Sequence, residues 1–113
     1  MFRTKLKVKY IGLIDNKKIY ELTKGLVFEN TTVYAGFRTD FASVPEVLRW
    51  LYHPQGKYSR ASVVHDFLYS LPSCPKSVAD DTFYRAMKSD GVDIITRYLF
   101  YWAVKYNGEE YKS

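Results

Sequence analysis

TTVYAGFRTDFASVPEVLRWLY, residues 31–52, contains the change of period that decides the fold class. Its first part, TTVYAGF, is rich in β-branched and aromatic residues, which suit a pleated, half-buried strand. Pro45 stands where a first helical turn can begin, because that turn leaves its amide hydrogens unused. Ser43 is the N-cap candidate. PEVLRWLY then reads as a short helix, ended by HPQG.

Upstream of this switch the chain reads as strands. KLKVKYIGLI alternates basic and apolar side chains with period two. Asp15-Asn16 is a turn corner and KIYELT a returning strand, which makes a hairpin. GLVFE and TTVYAGF follow, so an antiparallel meander of about three or four strands is expected. Downstream the chain reads as helices. Residues 57–69 place Ala61, Val64 and Leu68 at helical spacing. VADDTFYRAMKSDG is a further helix, with Ser77 as N-cap, Asp80 three residues on, and Gly91 as its stop. Asp93 caps the last helix, IITRYLFYWAVKYNG, which ends at Gly108 before a frayed EEYKS tail. The class predicted is α+β: one domain over 1–113, with a small N-terminal antiparallel sheet packed against three to four C-terminal helices. The strand block occupies about residues 1–41 and the helical block about 45–108.

Composition sets the outer limits. With 113 residues and 47% apolar content, the chain has material for one modest core and is not disordered. The net charge is +5, and Arg3, Lys5, Lys7 and Lys9 crowd the N-terminus without an acid among them. A basic end attracts anionic partners; it equally serves as a charged strand edge that resists aggregation. The single cysteine, Cys74, excludes an intrachain disulfide and a Cys-rich zinc site, and fits a reduced cytosol. No leader-like apolar run opens the chain, and none approaches the roughly 20 residues that span a bilayer. A soluble cytoplasmic protein is expected.

ASVVHDFLYS, residues 61–70, sets His65 beside Asp66 in an otherwise apolar run. On a helix His65 and Tyr69 share a face, and Asp66 lies roughly 100° round from His65. Imidazole and carboxylate together suit a divalent cation. The other histidine, His53, sits in a Pro-Gly loop, so a metal set would be assembled from His65, Asp66 and Asp80, with Asp40 in reserve. In that reading His65 and Asp66 are catalytic, a divalent metal activates water, and Asp40, Ser43, Tyr69 and Arg85 bind substrate. Ser43 lacks the G-x-S-x-G elbow of a serine nucleophile. Each residue has a structural reading too. His65 can bond a backbone carbonyl or Asp40, and Asp66 can cap the loop after Pro45. Asp80 and Asp81 can oppose the helix dipole, and Arg85 can pair with either along the helix.

Three motifs in order carry a resemblance: DFASVP at 40–45, VHD-x-LY at 64–69 and AD-x-x-F-x-x-AM at 79–87. Together they resemble a family of small bacteriophage and prophage proteins of unknown function, Campylobacter-type prophage members included. The resemblance runs over roughly residues 25–108 and leaves out the basic N-terminal hairpin. It implies a phage origin and no particular reaction. It marks Asp40, Ser43, His65, Asp66, Tyr69 and Asp80 as shared polar positions.

Two functional expectations follow. One is a phage accessory protein in the cytoplasm of the infected host, with a polar cleft between the DFASVP loop and the His-Asp helix. That cleft binds a small anionic ligand or supports metal-assisted hydrolysis. The other is a non-enzymatic virion component of tail or baseplate, or an inhibitor of a host protein. Its contact surface is the last helix, through Tyr98, Tyr101, Trp102 and Tyr106, aromatics of the kind enriched at interfaces. The same aromatics would equally fill a core. Nucleic-acid binding through Lys5, Lys7, Lys9, Lys17 and Lys18 lacks a reading module, so sequence-specific recognition is not expected.

Overall fold

Asp15 and Asn16 both take positive φ, 52° and 65°, in the computed structural model, which describes residues 2–40 and 59–107. These two residues form the tight turn whose twist matches antiparallel strands. They join β1 (Val8–Ile14) to β2 (Lys17–Leu22), with Ile14 opposite Lys17 and Val8 opposite Leu22. The register shifts between Tyr10 and Gly12, where Gly12 has φ 130°. That bulge bends the edge strand and needs a residue without a Cβ.

The meander expected after this hairpin divides into two sheets. β3 (Leu26–Phe28) and β4 (Thr31–Val33) form a separate antiparallel ladder, joined through Glu29 at φ 51°. TTVYAGF stays in strand only as far as Val33. The chain then turns at Gly36, φ 98°, and crosses to the open edge of β2. Gly36 N–H donates to the Leu22 carbonyl at 2.7 Å, and Leu22 N–H donates to the Phe37 carbonyl at 2.9 Å. β5 (Arg38–Thr39) completes a three-stranded sheet in the order β1-β2-β5. A bridge from Phe2 to Phe28 stitches the N-terminus to the second ladder.

Three helices follow among the described residues: α1 (Ser59–Ser70), α2 (Lys76–Ser89) and α3 (Ile94–Asn107). The arrangement is α+β, as the change of period predicts. PEVLRWLY, Ser43, His53 and the tail after Asn107 lie outside the described residues. Ser77 does not cap α2. Pro75 holds the N-cap position in extended geometry, and its carbonyl accepts from the amides of Val78 and Ala79 at 3.1 and 3.2 Å. At the other end Gly91 stops the helix at φ 80°. Gly91 N–H reaches the Lys88 carbonyl at 3.1 Å and Val92 N–H reaches that of Met87 at 3.0 Å, so two orphan carbonyls are satisfied. A Cβ on Gly91 would meet nothing within 4 Å, so Gly91→Ala tests the backbone alone. We expect a loss of about 1–2 kcal/mol in urea denaturation. Asp93 caps α3 as expected, accepting from Thr96 N–H at 3.1 Å and from the Thr96 hydroxyl at 2.6 Å.

One hydrophobic cluster joins sheets to helices. Leu22, Leu26, Phe28 and Val33 enter it from the strands, and Val63, Val64, Phe83, Met87 and Phe100 from the helices. Each large side chain contributes about 1.5–3 kcal/mol by leaving water. Ala79, Phe83, Ala86 and Met87 recur at spacings of three and four, and so give α2 one buried face. No helix among the described residues is long and apolar enough to cross a membrane.

Candidate functional site

The apolar face of α1 carries His65 inward with it, leaving the residue only 5% exposed. There the imidazole Nε2 lies 2.7 Å from Asp80 Oδ1 on α2. An ionised carboxylate only accepts, so Nε2 carries the hydrogen. Asp80 Oδ2 accepts from the Lys76 ammonium at 2.6 Å, one turn earlier on the same helix. Lys76 Nζ also donates to the carbonyls of Val104 and Lys105, at 2.9 and 3.0 Å, at the end of α3. The relay His65–Asp80–Lys76 therefore locks three helices together. Burial alone would raise the Asp80 pKa, but hydrogen bonds from His65 and Lys76, with their charges, hold it below the usual carboxylate range. Tyr69 stacks on the His65 ring at 5.6 Å, and Phe83 approaches it at 5.1 Å.

Asp66 follows His65 in sequence but turns to a different neighbour. Its Oδ2 accepts a 2.5 Å hydrogen bond from the Thr39 hydroxyl on β5. This bond spans 27 residues of sequence and ties α1 to the three-stranded sheet. Beside it opens a groove of about 470 Å³, lined by Ile14 and Ile19 of the hairpin, by residues 37–40, and by Asp66, Tyr69 and Ser70 of α1. Asp40 lies in this groove, with its carboxylate 3.7 Å from the Lys17 ammonium. Arg38 points to Glu21 at 3.2 Å. Tyr69 has one ring against the buried histidine and also lines the groove, so it connects the two.

The predicted site residues thus fall into separate groups. His65 and Asp80 meet in the buried relay; Asp40, Asp66 and Tyr69 line the groove; Ser43 lies outside the described residues. Arg85 does not pair with Asp80 or Asp81 along α2. It reaches Glu29 in the β3–β4 turn at 3.0 Å and the Thr82 hydroxyl at 3.3 Å. The reason is that Lys76 already holds Asp80, while Asp81 accepts from the Tyr101 hydroxyl at 3.0 Å. Among the described residues no group of three His, Cys, Asp or Glu side chains is placed to hold a metal ion. The Lys76 ammonium stands at the Asp80 oxygen that a cation would need. Sequence reasoning missed Lys76, although its four-residue spacing from Asp80 was a readable signal. Thr39 stands out in sequence as one of the polar residues of RTDFASVP, but nothing local pointed to Asp66 as its partner.

Residues 14–104 match the family described as Protein of unknown function (DUF1353), and every groove and relay residue falls inside that span. The chain is 30% identical over 105 residues to Uncharacterized protein y4jT of Sinorhizobium fredii (strain NBRC 101917 / NGR234). That alignment covers 86% of this chain and 31% of the relative, so the chain spans about a third of the relative's length. No solved structure matches the chain.

Proposed function

The chain belongs to the DUF1353 family of proteins of unknown function, and from that premise we propose that it is a phage accessory protein that binds a small molecule in the groove between β5 and α1. The groove carries this reading. Its volume falls in the range of small-molecule sites, roughly 300–1,000 Å³. Ile14, Ile19 and Phe37 supply an apolar wall, and Thr39, Asp40, Asp66 and Tyr69 supply convergent polar groups. Two carboxylates in one groove favour a ligand with hydroxyl or ammonium donors. An anion would have to sit against Lys17 and Arg38 instead. The phage origin, and work in the cytoplasm of an infected host, rest on the resemblance of the three motifs.

The test is calorimetry of the whole chain against polyols, amino sugars and polyamines, with Mg²⁺ and Mn²⁺ as separate arms. Ser70 is exposed on the groove wall, so Ser70→Phe fills the groove without touching the core. The expected result is a donor-bearing ligand whose affinity falls about tenfold or more in Ser70→Phe, a change of about 1.4 kcal/mol. Binding untouched by that substitution, or no binding across the set, refutes the reading. Binding that requires the divalent cation moves it to metal-assisted hydrolysis.

A further inference from the structure

α2 and α3 enclose a hollow of about 380 Å³ that shares no residue with the groove between β5 and α1. Asp81, Tyr84 and Arg85 supply one wall, at helical spacings of three and four, and Tyr98 and Tyr101 supply the other. The rings meet edge to face. Tyr84 stands at 79° to Tyr98 and at 80° to Tyr101, with centroids 6.4 and 5.6 Å apart. Aromatic rings favour this arrangement, and a further ring placed in the hollow extends it. Rings already held in place also lose less freedom on binding.

The hollow carries one charge of each sign. Asp81 and Arg85 are one turn apart on α2, the spacing at which unlike charges pair. Here each is drawn to another neighbour, Asp81 Oδ1 to the Tyr101 hydroxyl at 3.0 Å and Arg85 to the Glu29 carboxylate at 3.0 and 3.4 Å. Each keeps one unused group: Asp81 Oδ2 accepts from no described residue and Arg85 Nη1 donates to none. The pair of Arg85 with Glu29 is exposed and holds the guanidinium only weakly. Burial, then the bond and charge of Asp81, push the Tyr101 hydroxyl up, so it stays protonated and donating.

The surrounding charges separate the ligand classes. The Arg97 guanidinium lies 5.3 Å from the centre of the Tyr84 ring, and the Lys105 ammonium 5.6 Å from that of Tyr101. Two of the three rings therefore already carry a cation, and a plain organic cation there meets like charge. A plain anion meets Asp81, which has no cationic partner among the described residues. A molecule that holds both charges close together, next to a ring, avoids both penalties.

We propose that the hollow between α2 and α3 binds a free aromatic α-amino acid. Its ring stands among Tyr84, Tyr98 and Tyr101, its ammonium donates to Asp81, and its carboxylate accepts from Arg85.

The experiment is calorimetry of the whole chain against phenylalanine and against three molecules that each lack one of its parts: phenethylamine without the carboxylate, 3-phenylpropionate without the ammonium, and alanine without the ring. Phenylalanine is expected to bind about tenfold or more tightly than each of the others. Asp81→Asn keeps an acceptor for Tyr101 and should abolish the preference for phenylalanine over 3-phenylpropionate. Arg85→Gln should abolish the preference over phenethylamine. Glu29→Gln releases Arg85 and should tighten phenylalanine about two- to threefold. A merely structural role at these positions would weaken every probe alike. Tyr98 is 53% exposed, so Tyr98→Ser spares the core and should weaken phenylalanine about tenfold. Circular dichroism checks its fold, and Tyr98→Leu replaces it if the fold is lost. Four results overturn the proposal. Phenethylamine or 3-phenylpropionate equal to phenylalanine assigns the hollow to a cation or to an anion. Alanine equal to phenylalanine leaves the rings without a role. Phenylalanine binding that the Tyr98 variant does not weaken places the ligand elsewhere on the chain. Binding of none of the probes removes the site.

Discussion

Asp80→Ala lowers the unfolding free energy by about 3–5 kcal/mol, the cost of breaking a buried ion pair from one side. The alanine leaves the imidazole of His65 and the ammonium of Lys76 facing each other with the carboxylate gone. Both are largely buried, at 6% and 14% side-chain exposure, so water cannot readily replace it. The melting temperature should fall by more than about 10 °C for a domain of this size. The effect depends on pH, with a definite sign. The Asp80 pKa is depressed in the folded protein, so its stabilisation is complete above the unfolded carboxylate value of about 3.9. It is lost as pH falls through the lower, folded value. Urea denaturation of wild type and variant at neutral pH and in acid reads this directly: the gap between them narrows in acid. A gap of a few tenths of a kcal/mol at neutral pH, or one that stays constant into acid, would contradict the relay.

Phe83→Ala should cost a similar amount, about 3–5 kcal/mol, through lost transfer energy and the cavity left behind. Phe83 is fully buried on α2, and its ring lies 5.1 Å from the His65 imidazole. The substitution opens a void beside the only described histidine, so its effect should not add to that of His65→Ala. A double-mutant cycle should give a coupling of about 0.5–3 kcal/mol. Phe83→Ala alone should shift the urea midpoint and leave the slope unchanged. Additive effects would mean that the ring and the imidazole act independently, and would remove Phe83 from the account of how His65 is held.

What could be read from the sequence was written in one or two residues at a time. Asp15-Asn16 at the hairpin corner, Gly91 after α2 and Asp93 before α3 each act through their own backbone angles or through a side chain reaching three residues on. Such chemistry is local, so spacing reveals it. Strand pairing is not local. Nothing within TTVYAGFRT says that Thr39 will sit opposite Tyr20 while Val33 sits opposite Leu26, so the division into two sheets was invisible. The start of α2 shows how a small boundary error changes chemistry. With Ser77 as N-cap, Asp80 reads as a first-turn acid that opposes the dipole. With the helix beginning at Lys76, the same residue is one turn after a lysine and becomes its ion-pair partner.

The site question followed the same division. Helical spacing gives the angle between His65 and Asp66, roughly 100°, which allows them to share a broad cleft edge or to part. It does not say what waits in each direction. Asp80 was within reach of inference, because it lies on the next helix with a buried face. Thr39 was not, because it is placed by the crossing from β4 to the edge of β2.

Lys76 carries a last consequence. An ammonium has three hydrogens, and this one has three acceptors: Asp80 Oδ2, the Val104 carbonyl and the Lys105 carbonyl. A lysine reacts with an acylating reagent, or with a modifying enzyme, only through the free lone pair of its neutral amine. Freeing that lone pair here requires α2 and the end of α3 to part and a proton to leave. The exposed lysines of β1 and β2 must lose a proton as well, but no helices have to part for them. Lys76 therefore carries in its own chemistry a record of how often the helical half opens, legible in the covalent modification of one side chain.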